Sequence, residues 1–355
     1  MQRPINQQAF IRIVNHFVVL TLIVLVMTVV LLGVVAYGPE KVFQALQRST
    51  PTAQPPAKPV PPPDVWMAPD FSTLPNDEEG DLVRYGHELI VHTAAYLGPE
   101  GKVKPISNGM NCQNCHLDAG TKPFGNNYSA VASTYPKFRA RSGTIESIEK
   151  RVNDCFERSL NGQPLDEESK EMKAIVAYIK WLGKDVPKGQ TPKGAGLVAL
   201  SYLDEPANPE KGKLLYDQKC ALCHGTDGAG IKNPGSAEYT YPPLWGPKSY
   251  NIGAGLYRLS RFAGYIKANM PLGATYLEPQ LTDEEAWHIA AYVNSMPRPK
   301  KDISKDWPDI AQKPVDHPFG PFADGFSEQQ HKYGPFKPIE EKRKQTPTLV
   351  LTGKK

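Results

Sequence analysis

The pentapeptide Cys-x-x-Cys-His occurs twice, at Cys112 to His116 and at Cys220 to His224, and of the five cysteines only Cys155 lies outside it. Each motif puts two thiols and an imidazole on one short turn. The thiols can add across the vinyl groups of a haem, and the histidine reaches the iron from the same turn. Two covalently bound haem c groups are therefore expected. Cys112, Cys115, Cys220 and Cys223 would make the thioether bonds, and His116 and His224 would be the first iron ligands. A zinc or thioredoxin-like reading would need a further ligand pair or a βαβ setting, and the chain offers neither.

The surroundings of the two motifs repeat one plan. A helical stretch precedes each motif (residues 81–97 and 209–218). After each, an acidic triplet, Asp166-Glu167-Glu168 or Asp283-Glu284-Glu285, opens a helix carrying Ala177-Tyr178 or Ala291-Tyr292. Tyr178 lies 23 residues beyond Cys155 and Tyr292 lies 22 beyond Met270. Cys155 and Met270 thus occupy corresponding points of a duplicated unit, expected in the loop opposite the haem motif. The fold class read from this is mainly α, with two tandem class I-like cytochrome c domains and an N-terminal transmembrane helix. The expected boundaries are a cytoplasmic N-terminus at 1–16, an anchor at 17–37, a Pro-rich linker at 38–70, a first domain at 71–185, and a connection at 186–207. The second domain follows at 208–298, and then a Pro-rich tail at 299–355. The tail has no clear helical period and is expected to wrap the domains or to be partly disordered.

Residues 17–37 form an uncharged run dominated by Val and Leu, long enough to cross a bilayer once and too long for a secretory core. Arg3 and Arg12 before it, and Lys41 and Arg48 after it, barely decide orientation. Haem attachment decides it, since it takes place in an exported compartment. The expectation is a single-pass protein of the cytoplasmic membrane with its domains on the periplasmic side. Prolines 51, 55, 56, 59 and 61–63 would hold the body off the lipid. The formal charge of +4 is spread among mixed charges near the C-terminus, which reads as a solvated face and gives no support for nucleic-acid binding.

Each iron needs a sixth ligand. For the second haem the choices are Met270, followed by a proline that ends any helix, and Met296, at the end of an amphipathic helix where packing is the commoner role. For the first they are Cys155, Met172, His87 and His92. Met172 falls at core spacing, and the two histidines lie on the helix before the motif. Cys155 has no disulfide partner within the chain, and its neighbours Arg151 and Arg158 favour a thiolate; the alternative for it is an inert buried cysteine. Thiolate ligation would put the first haem at the lower potential and thioether ligation the second at the higher, so electrons would pass from first to second.

Arg141, Arg151, the run Asn153-Asp154-Cys155-Phe156-Glu157-Arg158-Ser159 and Asn161-Gly162 together resemble the dihaem c-type thiosulfate dehydrogenases. The likeness extends to Lys313-Pro314-Val315-Asp316 and to residues 320–326. It implies coupling of two thiosulfates to tetrathionate. It further implies His116 and Cys155 as ligands of the active-site haem, Arg141, Arg151 and Ser159 as substrate-binding residues, and His224 and Met270 as ligands of the electron-exit haem. The external acceptor would be a cytochrome c or a membrane oxidase. Some relatives carry a lysine immediately before the second-haem methionine; here that position is Asn269 and the nearest lysine is Lys267.

Three other functions fit parts of the sequence. The same residues could run the reaction backwards as a tetrathionate reductase. The haem-thiolate subunits that attach thiosulfate to a carrier cysteine share the cysteine, but they work with a separate haem partner. A membrane-tethered electron carrier explains both motifs and leaves the arginines around Cys155 without a purpose.

Overall fold

The computed structural model describes residues 7–38 and 61–345. Most of the expected linker, residues 39–60 with Pro51, Pro55, Pro56 and Pro59, lies outside the described residues, as do Arg3, Lys41, Arg48 and residues 346–355.

Helix α1, Gln7–Tyr37, forms a unit separate from residues 61–345. Its segment Val14–Ala36 has a mean hydropathy of 3.2 and is long and apolar enough to cross a membrane. The hydroxyls of Thr21 and Thr28 donate back to Phe17 O and Val24 O, one turn earlier, at 2.7 and 2.8 Å. The only side-chain donors in the middle of the run are thereby satisfied internally, as an apolar surrounding demands.

Residues 61–345 are mainly helical, with two short antiparallel hairpins: β1 (Lys137–Arg139) with β2 (Thr144–Glu146), and β3 (Ile231–Lys232) with β4 (Tyr239–Tyr241). In the first domain α2, Glu78–Val91, is capped by the Asp77 carboxylate, which accepts from Gly80 N. Helix α3 is Ile148–Arg158 and α4 is Lys170–Leu182. The acidic triplet at 166–168 precedes α4 rather than opening it. Asp166 folds back to accept from Glu168 N, and Ser169 caps the helix by accepting from Met172 N. In the second domain α5, Pro209–Lys219, starts with a proline in its first turn, where no amide is missed. Helix α6 is Leu259–Asn269. Helix α7, Asp283–Ser295, begins with a reciprocal capping box between Thr282 and Glu285.

The two domains cross their helices in the same way. A Cβ on Gly86 of α2 would lie 2.0 Å from Ala174 O of α4, and one on Gly212 of α5 would lie 1.9 Å from His288 O of α7. In each case the next neighbour is the tyrosine of the repeat, Tyr178 Cβ at 2.8 Å or Tyr292 Cβ at 2.9 Å. The sequence repeat is therefore a packing repeat: only glycine lets the first and last helices of each domain touch backbone to backbone.

One expectation is corrected. Cys155 is not in a loop but in the last turn of α3, whereas Met270 is the residue that ends α6. The segment before Cys155 carries a serine cap and good helix formers, so the chain reaches the cavity as a helix. A second correction concerns the tail, which forms helices α8, Glu328–Tyr333, and α9, Lys337–Gln345. Its buried Asp316 accepts from Arg258 and from Ser260 N and Oγ of the second domain. Asp324 pairs with His331 and Arg343. Phe336 and Ile339 enter the second core. Prolines spaced among polar residues hid helices whose period is too short to register. The connection between domains is bound as well: Gly194 O and Gly196 O accept from Phe124 N and Asn126 N, and Trp66 N donates to Lys193 O.

Alanine is the better helix former, yet Gly86→Ala and Gly212→Ala should each destabilise the protein by roughly 1–3 kcal/mol, because the obstructing atoms are backbone. A fall in melting temperature checks this, and a rise would contradict the crossing geometry. Burial works to raise the pKa of Asp316, but Arg258 and Ser260 outweigh it and hold the carboxyl below its ordinary 3.8. Its stabilisation is therefore complete above that value and fades as pH falls through the lower folded one. Asp316→Asn should lower stability at neutral pH and flatten the acid limb of the melting-temperature profile.

Candidate active site

In the first domain a cavity of about 160 Å³ lies between the haem motif and α3. Cys112, Cys115 and His116 line one side and Arg151, Cys155 and Ser159 the other. Those last three are spaced by four, so they share one face of α3, while Asn153 on another face exchanges hydrogen bonds with both backbone groups of Leu165 at 2.9 Å. Ser147 caps the helix. The helix is thus fixed at its start and along its back, with its functional face to the cavity.

His116 Nδ1 donates to Asn126 O at 2.5 Å, and its ring stacks on Tyr128 with centroids 4.5 Å apart. Burial, only partly offset by that carbonyl, pushes its pKa down to about 4, so the imidazole is neutral. With the proton held on Nδ1, the lone pair sits on Nε2, the state in which an imidazole binds iron. His224 repeats the arrangement with Pro242 O at 2.9 Å, and burial again lowers its pKa. Burial pushes the Cys112 and Cys115 thiols up to about 12, which keeps them neutral.

Arg151 Nη1 lies 3.4 Å from Cys155 Sγ, one helical turn away. The sulfur is the leading influence on Arg151, raising its pKa above the ordinary arginine value against the cost of burial. Arg141 sits in the turn between β1 and β2, where Gly143 with φ of 69° tightens the reversal. Its Nη1 donates to Gly253 O at 3.3 Å, and its buried Nε has no partner. Burial first, then Arg158 and Arg151, push its pKa down to about 10. A guanidinium stays charged at neutral pH, so Arg141 is a cation drawn on by Asp306 and Asp154 but in direct contact with no carboxylate. Arg158 differs: Asp306 of the tail grips it in two hydrogen bonds, at 2.7 and 2.8 Å. The site therefore keeps the Arg151 guanidinium beside the sulfur, while Arg141 stands outside the residues that line the cavity.

The second cavity, about 400 Å³, is lined by Cys220, Cys223, His224 and Met270, and across the domain boundary by Gln113 and Asn114. Those two are the residues between the cysteines of the first motif, so the two cavities are neighbours. Tyr265 Oη donates to Asn114 O at 3.0 Å and Asn269 Nδ2 to Phe124 O at 3.1 Å, fastening α6 to the first domain. Lys267 is engaged by Leu281 O and Asp283.

The other ligand candidates lie elsewhere. Met172 is fully buried in the first core, and His87 packs between Phe71 and Tyr178. His92 pairs with Glu238 at 3.1 Å on the wall of the second cavity, and Met296 packs against the second core. Among the described residues no group of three or more His, Cys, Asp or Glu could hold a bare metal ion. Neutral thiols and an imidazole with a free lone pair, bordering a cavity, suit a haem c in each domain. Sequence reasoning did not find Asp306, Trp307 or the acceptor Gly253 O. Asp306 lies 148 residues beyond the Arg158 it meets, Trp307 is still further from the Arg141 hairpin turn, and the third is a backbone atom.

The SoxA/TsdA cytochrome c domain family matches residues 102–187, and the cytochrome c family matches residues 209–297. The thiosulfate dehydrogenase of Psychrobacter arcticus is 42% identical over 241 residues, which is 68% of this chain and 71% of that protein. The chain belongs to the thiosulfate dehydrogenase family. The thiosulfate dehydrogenase of Allochromatium vinosum is 37% identical, over 67% of this chain and 86% of its own. Among solved structures, the thiosulfate dehydrogenase TsdBA of Marichromatium purpuratum superposes with a TM-score of 0.62 and 34% identity, covering 67% of this chain and 50% of that one. This thiosulfate dehydrogenase is thus a haem c enzyme with two cytochrome c domains.

Asp306→Ala would leave the Arg158 guanidinium, 11% exposed, without its carboxylate. The expected loss of stability is roughly 3 kcal/mol, the low end for a broken buried pair, because Asp154 remains 4.0 Å away. Urea unfolding measures it; an unchanged midpoint would mean that the pair does not hold the tail.

Proposed function

We propose that the protein joins two thiosulfates through their sulfane sulfurs to give tetrathionate and two electrons. In this reading His116 and Cys155 hold the haem of the active site, and His224 and Met270 hold the exit haem, from which an external cytochrome c or membrane oxidase is served. The observation that carries it is the sulfur of Cys155 set 3.4 Å from the Arg151 guanidinium, with the Arg141 cation near that guanidinium. A simple electron relay has no use for such charge, whereas two dianions brought together need it.

Bound haem c supplies a one-electron acceptor, and two of them match a two-electron oxidation. Arg141 and Arg151 would fork onto sulfonate oxygens, Ser159 would donate to the same group, and the sulfane end would be left facing Cys155. The Cys155 thiolate and one thiosulfate would form a Cys–S–S–sulfonate adduct, releasing two electrons. Attack by the sulfane sulfur of a second thiosulfate on the adduct's middle sulfur, the atom bonded to both Cys155 Sγ and the sulfonate, would then break the Sγ–S bond, release tetrathionate and restore the thiolate. The sulfur count and the charge balance at each step. Helix α1 supports an uncleaved anchor, with both domains on the periplasmic face of the cytoplasmic membrane.

Purified holoprotein given thiosulfate and an artificial one-electron acceptor should produce one tetrathionate for every two electrons. Cys155→Ala should lower turnover to background with two haems per chain retained. Turnover that survives this substitution removes Cys155 from the chemistry.

A further inference from the structure

The active-site arginines meet a residue that neither domain supplies. Trp307 follows Asp306 in the tail, and its amide donates to Arg141 O at 2.7 Å. Its ring centroid lies 5.8 Å from the Arg141 guanidinium carbon. Trp307 has φ of 61°, a left-handed conformation that is costly for a bulky aromatic residue. The neighbours must therefore hold it there, and they do: Asp306 is clamped on Arg158, and the His317 ring stands edge-on to the indole at 5.8 Å. Trp307 is 8% exposed, and its indole Nε1 is buried without a hydrogen-bond partner.

Buried donors are nearly always satisfied, because an orphan forfeits its hydration with nothing in return. Here two orphans belong to a pair in contact, since Arg141 Nε is also buried and unpartnered. Asp306 occupies both terminal nitrogens of Arg158, so the charge left over in this corner is that of Arg141. Two N–H donors without acceptors, beside a cation in direct contact with no carboxylate, are complementary to a group rich in acceptor oxygens and negatively charged.

We propose that the Trp307 indole N–H and the Arg141 Nε–H together bind one sulfonate group of the sulfur substrate, so that the tail completes the substrate site. The inference rests on the thiosulfate reading above and adds a binding residue to it. Trp307 would select for a sulfonate-bearing anion, which offers three oxygens to two donors.

Trp307→Phe keeps an aromatic ring against Arg141 and deletes only the donor. KM for thiosulfate should rise about tenfold or more with kcat little changed, the signature of an interaction made equally in ground and transition states. An unaltered KM overturns the proposal. A crystal structure of the wild-type holoprotein with thiosulfate gives a reading independent of any variant. A sulfonate oxygen within hydrogen-bond distance of both Trp307 Nε1 and Arg141 Nε is expected, and a map that leaves both nitrogens bare overturns the proposal. If the wild type makes no tetrathionate the functional reading falls separately, because the map still reports whether the anion sits at Trp307.

Discussion

The site depends on the contact between Arg151 and Cys155 along one turn of α3. The i to i+4 spacing brings the Arg151 guanidinium to 3.4 Å from the Cys155 sulfur and needs no loop to hold it. The rest of the first domain secures this helix: a serine cap at its start, Asn153 sewn to Leu165 on its buried side, and Arg158 tied to the tail beyond its functional face. Arg141 comes from a different element, a tight hairpin turn, so the two cations have independent supports.

The duplicated architecture explains how such a site coexists with an ordinary redox site. Both domains use the same glycine-mediated crossing of first and last helix and the same carbonyl-held histidine. They differ at the end of the helix before the last, α3 or α6. In the second domain the helix stops and Met270 follows it; in the first the helix runs on through Cys155 and brings an arginine with it.

Much of this was legible in the sequence because it is local. The two haem motifs, the acidic opening of α7, the proline opening of α5 and the spacing of Arg151, Cys155 and Ser159 are all short-range patterns with direct physical meaning. Cys155 was expected in a loop because it corresponds to Met270 in the repeated unit. The helix that carries it instead starts at a single capping residue, Ser147. The contribution of the tail was not legible at all. Asp306 and Trp307 belong to no motif, and their importance comes from contacts across about 150 residues. The tail helices were missed since Glu328–Tyr333 and Lys337–Gln345 are too short to show a period.

The fastening of the tail has a further consequence. It is bonded to the first domain through Arg158, to the second through Arg258 and to the connection through Ala207, whose amide donates to Tyr333 O. A protein assembled in this way is not two interchangeable cytochromes on a string. A recombinant exchanging either half with a relative would inherit a mismatched strap, so the heritable module is both domains together with the tail.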